Sequence, residues 1–177
     1  MTAGAGPDNL DRLLAELHAA RLLAARAVAG AGEATPRPSH AELWAHARRA
    51  PDAPVPLPLV RALRDDPAAG RRYRAMLAAL ALAHAPVALA ASDGAVRRRV
   101  GEAVLELLPG EAPLLVLTGA PAAGALELVG EDGASLRLAL PPAEGASVVL
   151  ALGPDVAEAA DALRLLRDPA TAVFLLP

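Results

Sequence analysis

The chain of 177 residues carries 46 Ala and 32 Leu, a single Asn, no Cys, Lys, Ile or Gln, and a formal net charge of −3. All 17 basic residues are therefore Arg, which excludes Schiff-base enzymes and P-loop or kinase-type lysines, while the missing thiol excludes thiolate nucleophiles, iron–sulfur clusters, cysteine zinc sites and disulfides. Leu, Val and Phe total 46 residues, above the roughly one-fifth level associated with disorder, so a compact core is expected.

The length suits one ordinary domain or two small ones, and the bias toward Ala, Arg, Gly, Pro, Val and Leu is that of a GC-rich coding sequence. Trp44, Tyr73 and Phe174 are the only aromatic rings. Such a core buries little area per residue, so the parts of the chain should depend on one another or on a partner.

The opening MTAGAGPDN has no basic region followed by an apolar run, so it does not read as a signal peptide and a cytoplasmic protein is expected. Asp8 is placed to cap a first helix in which Leu10, Leu13, Leu14, Leu17, Ala24 and Val28 share a face until Gly30 ends it. Residues 30–38, with Gly30, Gly32, Pro36 and Pro38, read as a linker. Ser39 and Glu42 form a capping box opening a short helix over 41–49, and residues 50–58 hold four prolines that force an extended connection. Pro58 starts a helix running to Asp65. Asp66 caps the next, in which Tyr73, Met76, Leu77, Leu80 and His84 are predicted to share a face until Pro86. The apolar stretch from Ala75 to Ala91 is interrupted by His84 and Pro86, so no membrane span is expected.

At Ser92/Asp93 the patterning changes from helical spacing to short blocks alternating with single polar residues. Strands are predicted over 96–108, 114–118, 125–129, 135–140, 147–152 and 172–176, with a short helix over 155–167 before the last. Leu136, Leu138 and Leu140 alternate with Ser135, Arg137 and Ala139 as in a sheet with one buried face. The segments Gly133–Leu140 and Gly145–Leu152 echo each other at a spacing of 12 residues. Short connections favour antiparallel pairing. The fold expected is therefore α+β: a helical unit of three or four helices (1–92) followed by an antiparallel β domain of five or six strands (93–177). Charge divides the same way, with Arg in excess before residue 93 and acid in excess after it.

Chemistry-bearing clusters are sparse. His18, His40, His46 and His84 are the only imidazoles, and the six-residue gap between His40 and His46 does not fit a helical zinc pair. Ser135 and Ser147 each follow Gly-Ala but lack the second glycine of a nucleophile elbow, and both begin strands. Asp65-Asp66 and Glu131-Asp132 are explained by helix capping and a turn. No catalytic residue, metal ligand or cofactor site is assigned. Arg71-Arg72-Tyr73-Arg74 and Arg97-Arg98-Arg99 are basic clusters, but the acidic balance argues against nucleic acid.

What remains is protein interaction. Leu10, Leu13, Leu14, Leu17, His40, Trp44, Arg71, Tyr73 and Arg74 are the candidate contact residues, since an uncommitted apolar stripe, Arg and aromatic side chains are the stuff of interfaces. The expected function is a non-enzymatic cytoplasmic bacterial regulator or adaptor that binds another protein, or itself through the first helix. The layout of a helical unit before a β-rich unit resembles that of bacterial anti-sigma-factor regulators; their zinc motif needs cysteines that this chain lacks, so no residue is carried over. The alternative is a small-ligand or phosphate-ester binding domain, possibly hydrolytic, built from His84, Tyr73 and Arg98 at the junction of the two halves.

Overall fold

Ser39 opens the helical layer. The computed structural model describes residues 37–85, 96–120, 122–154, 156 and 158–177. The predicted first helix with Leu10, Leu13, Leu14 and Leu17, linker residues 30–36, and the change of pattern at 92/93 lie outside the described residues. The Ser39 hydroxyl accepts from the Glu42 amide at 3.2 Å and the Glu42 carboxylate accepts from the Ser39 amide at 2.7 Å, closing the capping box at the start of α1 (His40–Ala47). Those bonds hold the Glu42 carboxyl below its usual range. Pro58 lies in the first turn of α2 (Leu57–Asp65), and the Asp66 carboxylate accepts from the Ala68 amide at 2.8 Å to open α3 (Pro67–Leu80).

Here the chain departs from its helical reading. α3 ends at Leu80, and Ala83–Ala85 form a short strand, β1, so His84 does not continue the face of Tyr73 and Leu77. The alanine-rich segment has the propensity to stay helical, but β1 covers the edge of the last strand, with Leu82 N–H donating to Leu175 C=O at 2.8 Å. Pairing of that edge outweighs local preference.

The predicted single sheet of five or six strands is instead two antiparallel sheets of four. One has the order β1-β8-β5-β6, from Ala83–Ala85, Ala172–Leu176, Ala125–Val129 and Ser135–Ala139; the other has the order β2-β3-β4-β7, from Val96–Val100, Ala103–Leu108, Leu114–Thr118 and Ser147–Ala151. The run expected as one strand over 96–108 folds back at Gly101, whose φ of 63° permits a two-residue hairpin between Val100 and Ala103. α4 (Ala159–Arg167) precedes β8 and is shorter than predicted at its start. The two echo segments end up in different sheets, each led in by a glycine of positive φ, Gly133 and Gly145.

The first sheet is sandwiched. Leu126, Leu128, Leu138, Val173 and Leu175 meet Leu105, Leu107, Leu115 and Leu117 of the second sheet and Leu165 and Leu166 of α4. On its other face Ala125, Val129, Ala172, Phe174 and Leu176 meet Leu43, Leu63, Tyr73, Met76 and Leu77 from α1, α2 and α3. Every residue of β5 and β8 is therefore buried. The alternation in β6 suggested one buried face; because helices cover the other, Arg137 is buried as well.

Candidate functional site

Glu127, the middle residue of β5, faces the helices and is completely buried. A carboxylate in that position must be compensated, and three donors converge on it. The Tyr73 hydroxyl donates to Oε1 at 2.7 Å, Arg49 Nη2 donates to the same oxygen at 3.3 Å, and Arg137 Nε donates to Oε2. Strand register explains one partner: Glu127 and Arg137 lie directly opposite each other across the β5–β6 hairpin. α3 supplies Tyr73 from above, and the chain leaving α1 supplies Arg49.

Arg137 also ties the helix down. Its Nη2 donates to Ala47 C=O at 3.0 Å and its Nη1 to Arg49 C=O, satisfying carbonyls at the end of α1 that no helical amide reaches. Arg49 Nη1 donates to Tyr73 Oη at 3.0 Å and to His46 C=O at 2.9 Å, whereas its Nε is buried without a partner. His46 packs its ring 5.0 Å from that of Tyr73, and its Nε2 is likewise unpartnered. Burial, reinforced by the Arg49 and Arg137 guanidiniums, pushes the His46 imidazole down to about 3, so it is neutral at physiological pH. Burial, with the Glu127 carboxylate beside it, pushes the Tyr73 phenol up.

The outer side of this network opens into a cleft of about 690 Å³. Trp44, Arg48 and Arg49, from α1 and the chain leaving it, and Ala125, Arg137 and Leu176, from the sheet, line it. Trp44 is half-buried and Arg48 exposed, and among the described residues Arg48 makes no ion pair. The lining holds three guanidiniums and no acidic side chain; Glu127, beneath it, pairs with Arg49 and Arg137 and not with Arg48. Chemically the cleft offers an aromatic face, an apolar floor and the exposed guanidinium fork of Arg48, a combination suited to carboxylate or phosphate oxygens.

The residues singled out from sequence are dispersed. His40 and Trp44 stack on α1, with ring centroids 6.4 Å apart, and Trp44 borders the cleft. Tyr73 is in the network but fully buried. Arg74 ties α3 to the β5–β6 turn by donating to Gly130 C=O at 2.8 Å, and Arg71 is exposed. His84, Tyr73 and Arg98, proposed as one pocket, are apart. His84 is exposed on β1, stacked 5.9 Å from Phe174; Arg98 is buried at the far end of α4, donating to Leu166, Asp168 and Thr171 carbonyls. Arg97 and Arg99 are exposed on the opposite face of β2. Glu127, Arg49, Arg137, His46 and Arg48 were not singled out. For Glu127 and Arg137 the signal exists: each is the one charge at the centre of an alternating strand, and the hairpin between them sets them opposite.

Among the described residues no group of three or more His, Asp or Glu is placed to hold a metal, and no helix is long and apolar enough to cross a membrane. No protein-family model, curated protein or solved structure matches the chain.

Proposed function

We propose that this chain is a non-enzymatic protein-interaction module, a regulator or adaptor, that engages its partner on the helical side through an extended segment bearing carboxylates. The observation behind this reading is the cleft itself. A half-buried tryptophan and three arginines border an apolar floor, with no acidic side chain in the lining; Arg49 and Arg137 are paired with Glu127, which leaves Arg48 as the lining arginine without an ion pair among the described residues. Aromatic and Arg side chains in partly desolvated positions dominate binding energy at interfaces, and the charge surplus selects an acidic segment over a basic one.

Trp44 is the only tryptophan, so occupancy is readable directly. Titration with a glutamate-rich decapeptide should shift Trp44 emission, weaken with added salt, and lose at least about tenfold in affinity in Arg48→Glu, a change of about 1.4 kcal/mol or more. An emission spectrum indifferent to millimolar peptide, in the wild type as in the variant, would sink the idea. The volume of the cleft favours a second reading, because about 690 Å³ falls in the range of roughly 300–1,000 Å³ typical of small-ligand sites. An anionic small molecule would then be the occupant. Inorganic phosphate alone shifting Trp44 emission, with the peptide inert, would establish that alternative.

A further inference from the structure

The four sheet edges are not treated alike. β1 is only three residues long, β2 reads Val-Arg-Arg-Arg-Val, and β6 turns the charged Arg137 inward; shortness, charge and inward charge are the usual protections of an edge. β7, the edge of the second sheet, reads Ser147-Val-Val-Leu-Ala151 and has none of them.

The direction of its backbone groups follows from the ladder. Leu152 N–H donates to Pro113 C=O at 2.7 Å, and Gly119 N–H donates to Ala146 C=O at 3.0 Å. Antiparallel bonding alternates, so the residues of this segment bonded to β4 are Ala146, Val148, Leu150 and Leu152, and the N–H and C=O groups of Ser147, Val149 and Ala151 point away from it. Ser147 confirms the direction, because it exchanges both bonds with Glu144 outside the sheet. Val149 and Ala151 keep their outward groups without a strand partner among the described residues.

The side chains around that edge are apolar. Val149 is 49% exposed at the middle of the strand, opposite Val116 of β4, and Leu108 and Leu114 lie partly exposed on the same face. Neither β4 nor β7 contains a charged residue; the charges of this face are Glu106 of β3, opposite Val116, which pairs with Arg97 of β2 at 2.9 Å, and the arginines of that far edge.

From this we infer that β7 pairs antiparallel with β7 of a second copy of the chain, about a twofold axis at Leu150, joining two four-stranded sheets into one of eight. In that register Val149 lies opposite Ala151 of the second copy, and their outward groups form four inter-chain hydrogen bonds. A twofold contact matches a surface with itself, which a strand without charged side chains, as β7 is, tolerates and a charged one does not. The Glu144 bridge closes one end of the free edge, which limits pairing to the segment from Val149 to Ala151.

Sedimentation of the full chain over rising concentration tests this. The mass should climb from 17.9 kDa toward twice that value. Val149→Arg places like charges near the axis from a side chain already half exposed, and should weaken dimerisation at least tenfold with an unchanged circular dichroism spectrum. Ala151→Pro deletes one outward N–H, at an edge position that tolerates proline in the monomer, and should act in the same direction. A chain that stays monomeric at every concentration overturns the pairing. So does a dimer that survives both substitutions, which would place self-association elsewhere.

Discussion

Glu127 is fully buried and held by two guanidiniums and a phenol, and the balance there is positive. Buried ion clusters contribute less to net stability than their contact distances suggest, because desolvation offsets the attraction, yet losing one member costs roughly 3–5 kcal/mol. His46 registers that positive balance. With its folded value at about 3 against 6.5 for the free side chain, the unfolded chain takes up a proton between those limits and the native chain does not. Stability contributed by neutral His46 is therefore complete above pH 6.5 and is lost as pH falls toward 3, at about 1.4 kcal/mol per unit. Urea unfolding between pH 6.5 and 5, above the range where exposed carboxylates titrate, should show this slope in the wild type and not in His46→Asn; equal slopes would mean that the imidazole is not isolated as described. Of the residues in this network, only Tyr73 stood out in the sequence, and it was read there as a contact residue. His46 carries no local mark of its role. Its environment is made by Arg49, Arg137 and Glu127, the last two of which come from a hairpin more than 80 residues away.

At the scale of elements, arginine joins helices to sheets. Arg137 closes α1, and Arg98 closes α4, donating to Leu166 and Asp168 carbonyls at 2.5 Å each and to Thr171 C=O at 2.8 Å. Carbonyls at a helix C-terminus lack amide partners, and a planar fork reaches several of them where a lysine ammonium acts as a single point. Burial lowers the Arg98 guanidinium from its usual value, consistent with a cation inside the fold that lacks a bonded carboxylate. Arg98→Leu should leave the Leu166 and Thr171 carbonyls without a donor, the Asp168 carbonyl keeping the Thr171 N–H, and cost at least about 3 kcal/mol, read as a lowered urea midpoint with the slope unchanged. Arg98→Lys should recover little of it, and full recovery by lysine would show that charge alone matters. Helix starts were legible because Ser39, Glu42, Pro58 and Asp66 act within their own turn. The division of 96–108 was not, since Gly101-Glu102 carries only half of the usual hairpin signal. Nor was β1, whose strand state depends on β8 some 90 residues later.

Taken whole, the unit from Arg37 to Pro177 has two apolar clusters and one sheet common to both. Alternate residues of β5 and β8 belong to opposite clusters: Leu126 and Leu128 to the sheet-sheet core, Ala125 and Val129 to the helical one. The change from helical to alternating patterning was visible in the sequence, but patterning along one segment does not say which layer covers a strand's second face. The fully buried β5 and the inward Arg137 are the residues that answer it. A strand cannot keep one face ordered while the other is stripped, so the helices and the second sheet should unfold as one cooperative system. Two reporters check this in the full chain: Trp44 fluorescence for the helical layer and hydrogen exchange of β3 and β4 amides for the far sheet. Under denaturant both should give the same unfolding free energy, within about 1 kcal/mol, because those amides would exchange only by global opening. If β3 and β4 remain protected after Trp44 has passed through its transition, the second sheet and α4 keep a core without the helices, and the shared sheet does not couple the two layers.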